Sequence, residues 1–271
     1  MSTRALLASP LGFLIGVTLG ALGGGGSILA VPVLVFVVGQ EPSAATTTSL
    51  FVVGIASLIG AYGHWRSGRV RVAVGVMFGL VGIGGSFAGS ALNRRLDGDV
   101  LLLGFSVLVL VAAWRIAVGC PSCTRAGEAE VLRGGGSDGA LRTKVRLSVR
   151  VLKVVAAGTV VGFLTGLFGV GGGFVVVPAL ALVLGFSMPA AVGTSLLVVA
   201  VNTAAALGTR VGSGSIDWSI TLVFTAAAVA GAGTGRRIAD RLDPESMQRS
   251  FAVLLVGVAL YTGARALVAI Y

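Results

Sequence analysis

Charge is what this sequence has least of. Only 11% of its 271 residues are Asp, Glu, Lys or Arg, against about 25% in an ordinary soluble domain. All the acids, Glu41, Asp97, Asp99, Glu128, Glu130, Asp138, Asp217, Asp240, Asp243 and Glu245, fall in or beside the breaks between apolar runs. None stands mid-run, where it would relay protons or hold sodium. There is a single histidine, His64, with no Ser-His-Asp set, no paired acids on one helix face and no HExxH, so the chain is read as a non-enzyme. The two cysteines, Cys120 and Cys123, form a lone CxxC in a polar loop. No second pair or His completes a metal site, and no cofactor or metal is expected; the pair is either incidental or redox-active.

What is abundant is apolar surface, 55% of residues with a mean hydropathy of +0.99. Several runs reach about 20 residues, enough to cross a hydrocarbon core. The chain is therefore expected to be an all-α, multi-pass integral membrane protein with the lipid bilayer as solvent. Its net charge of +10 comes from Lys and Arg in short loops rather than from a basic stripe with aromatics. That pattern sets membrane topology and excludes nucleic acid as a partner. The first run, Ala5 to Leu22, looks like a signal peptide, but its counterpart in the second half lies deep in the chain, so it is expected to be retained.

That counterpart belongs to an internal repeat at a fixed offset of 146 positions. Gly12, Gly16, Gly20 and Gly23 fall on Gly158, Gly162, Gly166 and Gly169; Val31-Pro32 falls on Val177-Pro178, Thr48-Ser49-Leu50 on Thr194-Ser195-Leu196, and Arg95-Leu96-Asp97 on Arg241-Leu242-Asp243. Each repeat holds about five apolar segments, giving 8–10 in total. In the first copy these are Ala5 to Leu22, Ser27 to Val38, Ser43 to Tyr62, Val72 to Leu92 and Val100 to Val118. Residues 1–118 are read as the first transmembrane repeat, 119–147 as a cytoplasmic linker and 148–271 as the second repeat. The second segment, about 18 Å long as a helix, is too short to span. It is either half of a broken helix or one limb of a re-entrant hairpin, as is its counterpart Phe174 to Leu184.

With three or five crossings per unit the copies are inverted; with four they are parallel. The inverted arrangement gathers Arg66, Arg69, Arg71, the basic central loop, Arg236, Arg237, Arg241 and Arg249 on one side. It leaves Arg4, Arg94, Arg95, Arg210 and Arg265 on the other. The rule that basic loops stay inside favours inversion by a small margin, and either arrangement puts the central loop in the cytoplasm.

The candidate site residues are those whose polar groups escape helix bonding. Gly24, Gly25, Gly26 and Ser27, and Gly171, Gly172 and Gly173, break a helix just before each short segment. A helix starting there leaves N–H groups and a partial positive charge for an anion; close packing through small residues is the other reading. Thr47, Thr48, Ser49, Thr194 and Ser195 supply hydroxyls that either donate to an oxyanion or cap their own helices. Asn202 is a carboxamide within a span, read as facing the bundle interior. His64 and Arg210 end equivalent segments and are read as interfacial anchors.

Together, the glycine clusters leading to Val-Pro, the Thr-Ser pairs and the duplicated architecture resemble the sulfite exporter TauE/SafE family, also called the sulfonate uptake permease family, over nearly the whole chain outside the central loop. The resemblance implies a transporter of the cytoplasmic membrane. Its expected partner is a small sulfur oxyanion such as sulfite, thiosulfate or an organosulfonate, and a homodimer is compatible with it. The rival classes are an anion channel and a membrane scaffold whose glycines only pack helices.

Overall fold

A computed structural model describes residues 3–93, 95, 98–118, 140–168, 173–208 and 218–270, and its regular structure is entirely helical. The expected linker residues up to 139, with Cys120 and Cys123, and also Gly171, Gly172 and Arg210, lie outside the described residues. The first half comprises α1 (Thr3–Leu22), α2 (Ser27–Phe36), α3 (Pro42–Arg66), α4 (Val72–Asn93) and α5 (Gly98–Val118). The second comprises α6 (Ala140–Phe168), α7 (Gly173–Pro178, continued by a π-helical turn at Ala179–Val183), α8 (Met188–Gly208), α9 (Trp218–Arg241) and α10 (Pro244–Ile270). α6 begins inside the segment read as linker. Among the described residues, seven stretches are long and apolar enough to cross a membrane, with α1 and α2 counted together as Ser9–Val35. In lipid the backbone must bond within itself, so apolar runs of this length are helical whatever their β-branched content.

Local chemistry sets the breaks. Gly23 takes φ +74°, a conformation open to glycine. The tight turn Gly23–Gly26 then folds the chain back so far that a Cβ on Gly26 would stand 2.6 Å from the Leu19 nitrogen. In a continuous helix, seven residues separate such positions by about 10 Å; α1 and α2 are thus two limbs of a hairpin. The two short helices end alike. Gly39 and Gly185 take φ +74° and +68°, and beyond them the Gln40 and Phe186 N–H groups donate to Leu34 and Leu180 carbonyls at 2.9 and 3.1 Å. All three pairs match at the repeat offset.

Packing follows the same correspondence. Gly12, Gly16 and Gly20 of α1 face the backbone of Phe224, Ala228 and Ala232 of α9, while Gly158, Gly162 and Gly166 of α6 face Phe78, Gly82 and Ser86 of α4. A Cβ on Gly16 or Gly162 would stand 2.0 or 2.1 Å from the opposite carbonyl oxygen. These glycines therefore pack helices, as small residues do where lipid supplies no hydrophobic drive. Every contact in one set recurs in the other with the halves exchanged.

The contact order also fixes helix direction. α1 and α9 rise together, as do α4 and α6. α3 runs with α9, linked by Thr48···Thr221 at one end and Arg236 to the Gly63 carbonyl at the other. α3 crosses α8 in the opposite sense, Gly54 meeting Thr203 and Gly60 meeting Leu196, and α4 runs with α8 through Gly75–Leu197 and Gly79–Val201. α5 and α10 are antiparallel, with Gln248 on the Ile116 carbonyl and Gly263 beside Ser106. Equivalent helices of the two halves thus run in opposite directions.

Candidate functional site

The two glycine breaks meet at the centre of this arrangement. A Cβ on Gly24 would stand 2.1 Å from the Gly173 carbonyl oxygen, and one on Gly173 would stand 2.7 Å from that of Gly24. Gly25 lies against the Phe251 ring, and Gly23 to Gly26 are all buried. The polar groups here close on one another. The Gly24 N–H donates to Ser195 Oγ at 3.3 Å, Ser195 Oγ donates to the Val192 carbonyl at 2.8 Å, and Ser27 Oγ donates to the Gly24 carbonyl at 2.6 Å. Ser195 is the candidate hydroxyl that the fold brings to a glycine break.

The remaining hydroxyls are dispersed. Thr48 is fully buried against Thr221 Oγ1 at 3.4 Å, and Ser49 Oγ donates to the Thr46 carbonyl at 2.8 Å, with Thr47 buried beside them. Thr194, also fully buried, accepts the Arg71 backbone N–H at 3.1 Å. Because α3 and α8 cross antiparallel, the two Thr-Ser pairs stand at opposite ends of the crossing. About fourteen helical residues, or roughly 20 Å, separate them. The expectation that Thr48, Ser49, Thr194 and Ser195 surround one anion is not met in this conformation.

Asn202 does join a site. It lines a cavity of about 250 Å³ between α3, α4, α6 and α8, with Thr203, Ser86, Ser90, Thr165 and Phe87. Among the described residues, no charged side chain lines it. Asn202 Oδ1 is buried without a hydrogen-bond partner. Thr165 and Thr203 donate to carbonyls of their own helices, which leaves their oxygens as acceptors and their helices locally tied. At about 30 Å³ per water the space takes a small oxyanion with part of its hydration shell. Ser86, Ser90 and Thr165 were not singled out from sequence. The available signal was the pair Ser86 and Ser90, one helical turn apart and so on the same face of α4.

His64 differs from expectation. It is no interfacial anchor but fully buried, because α3 extends to Arg66 and carries the imidazole onto Gly20, where Nε2 lies 3.2 Å from the carbonyl oxygen. A carbonyl only accepts, so Nε2 bears the proton; Nδ1 has no partner. One turn of α9 lies alongside. Arg236 donates to the Gly63 carbonyl at 3.0 Å and Asp240 holds Arg69 at 2.5 Å. Among the described residues, no three His, Cys, Asp or Glu side chains gather as a metal site.

Comparison with known proteins agrees with this architecture. A family profile described as sulfite exporter TauE/SafE matches residues 8–262. A "probable membrane transporter protein" of Xylella fastidiosa (strain Temecula1) is 32% identical over 253 residues, 92% of this chain and 91% of its own length. The "probable membrane transporter protein YdhB" of Bacillus subtilis is 26% identical over 254 residues, 91% and 95% of the two chains. The protein MJ0441 of Methanocaldococcus jannaschii, named likewise, is 27% identical over 177 residues, 63% and 59%. No solved structure matches significantly.

Proposed function

The chain belongs to the sulfite exporter TauE/SafE family of membrane transporters, and from that premise we propose that it carries small sulfur-containing oxyanions, such as sulfite, thiosulfate or organosulfonates, across the cytoplasmic membrane. The observation that carries this reading is the cavity at Asn202, whose polar lining among the described residues is hydroxyls and an amide without charge. The Asn202 amide N–H groups and the water the cavity holds can donate to an oxyanion without trapping it as a fixed cation would, while the Thr165, Thr203 and Ser90 hydroxyls are spent on carbonyls. The two halves act as inverted repeats, a reading supported by the opposite directions of equivalent helices and typical of carriers whose substrate sits at the repeat interface. Gly24 and Gly173 mark that interface, and Ser195 tethers it. The central loop faces the cytoplasm, as its basic composition requires.

A carrier fits better than an open channel, because above the cavity the equivalent helices are sealed by fully buried Leu19 and Leu196. The test is uptake into proteoliposomes. Saturable flux and counterflow of sulfite, thiosulfate or ethanesulfonate above empty vesicles are expected. Flux no greater than in empty vesicles would leave the glycines as packing elements of a scaffold.

A further inference from the structure

The cavity has a counterpart that the structure holds shut. At the repeat offset its lining residues Leu50, Ser86, Ser90, Thr165, Asn202 and Thr203 fall on Leu196, Ala232, Arg236, Leu19, Ala56 and Ser57. On the first side there is open volume; on the second, Leu19, Ala56, Ser57, Leu196 and Ala232 are no more than 1% exposed. The cavity lies toward the C-terminal ends of α4, α6 and α8, and the sealed region toward those of α1, α3 and α9. Given the helix directions, the sealed region faces the side from which α5 leaves toward the central loop and α6 returns.

What closes it is polar and incompletely satisfied. His64 on Gly20 ties α3 to α1, and Arg236 on Gly63 ties α9 to α3. Ser57 Oγ and His64 Nδ1 are both buried without partners, and seven residues apart they lie on one face of α3. Gly60, between them, is plugged by Leu196 at 3.1 Å from where its Cβ would be. Two orphaned polar groups beside a half-buried cation held by one carbonyl make a poor permanent seal, since buried polar groups are nearly always paired. They suit a surface that is wet part of the time. When two inverted halves adopt unequal conformations, exchanging those conformations produces the state open to the opposite side.

Resting on the transporter reading above, we propose that Ser57, His64 and Arg236 form a second anion-binding site that opens toward the central loop as the Asn202 cavity closes. Withdrawn from Gly63 and Gly20, the Arg236 guanidinium and the His64 ring N–H become donors for an oxyanion. The positions equivalent to Arg236 and Ser57 are Ser90 and Thr203, and the one equivalent to His64 is Arg210, so Arg236 itself has a neutral counterpart in the open cavity. Anion arriving from the central-loop side thus meets the Arg236 charge and leaves past Ser90 on the other, while the net direction of transport is set by the anion's gradient and the membrane potential.

The experiment uses single cysteines in the full chain with Cys120 and Cys123 replaced by Ser. Ser57→Cys and, as a second probe of the sealed region, Ala232→Cys are compared with Ser90→Cys in sealed vesicles of both orientations. An impermeant thiol reagent is applied with and without ethanesulfonate. Ser57→Cys and Ala232→Cys should react only from the central-loop side and Ser90→Cys only from the other. Any condition that speeds one group several-fold should slow the other. Arg236→Gln should raise KM for efflux from the central-loop side at least tenfold, with Arg236→Lys in between. The proposal is overturned if neither probe of the sealed region reacts from either side in vesicles where the wild type turns over, or if both regions react without reciprocity. A wild type that carries no tested sulfur anion would defeat the substrate reading, and reciprocal labelling would still decide the gate.

Discussion

Gly24 and Gly173 meet backbone to backbone where the two short helices begin, each leaving less than 3 Å for a Cβ of the other. No rotamer change relieves such a contact, because the opposing atoms are main chain. Gly173→Ala is therefore expected to push the two short helices apart, with a cost at or above the roughly 1–3 kcal/mol typical of overpacking. Thermal unfolding in detergent should show Tm falling by several degrees. Gly233→Ala, a helical position with nothing within 4 Å, should leave Tm unchanged or slightly raised.

Gly16 and Gly162 provide a test of the internal correspondence. Each faces main chain at about the same distance, 2.0 Å to Ala228 O and 2.1 Å to Gly82 O. Gly16→Ala and Gly162→Ala should lower Tm by similar amounts. A loss at one and none at the other would mean that the two halves do not pack alike.

Asn202→Leu separates function from stability. The substitution removes a buried oxygen that has no partner, so stability should hold or improve by about 1 kcal/mol. It also strips the cavity of its one amide and narrows it. Flux of sulfite or ethanesulfonate should fall about tenfold, the equivalent of about 1.4 kcal/mol of lost interaction. Protein yield and Tm, measured in parallel, exclude misfolding as the cause.

The duplication was legible because membrane helices tolerate little insertion, so one offset served from Gly12 to Asp243. Re-entrance was legible as one of two alternatives, since the short segment could not span; choosing between them required knowing that Gly26 returns to Leu19. The placement of Thr48 and Thr194 was not legible. Repeat equivalence says that two residues are alike, and in an exchange of halves alike residues land on opposite sides rather than together. The burial of His64 was equally hidden, because its partner is the bare carbonyl of Gly20, a group every residue carries. The cavity escaped notice because scattered Ser and Thr in a glycine-rich helix look like residues capping their own carbonyls, as Thr165 and Thr203 indeed do.

Energy coupling follows from which titratable groups the fold encloses. The carboxylates of the described spans, Asp240 and Glu245, stand in terminal turns paired with Arg69 and Arg249. Neither can carry a proton through the bilayer. Among the described residues His64 is the one fully buried titratable side chain, and its hydrogen bond goes to the Gly20 carbonyl rather than to a second titratable side chain. One such group makes no relay across a membrane, so direction must come from the anion's own charge. At about 2.3 kcal/mol per charge per 100 mV, a divalent anion leaving a negative interior gains about 4.6 kcal/mol at that potential. At about 1.4 kcal/mol per tenfold, this sustains a gradient of more than about a thousandfold. Efflux of ethanesulfonate, which keeps its charge at all working pH values, should therefore follow an imposed potential and ignore an imposed pH gradient. His64→Gln, which keeps an N–H donor near Gly20 and cannot titrate, should retain that potential dependence. Efflux that tracks the pH gradient in the wild type and loses this response in His64→Gln would instead make the histidine a proton carrier and overturn potential-driven export.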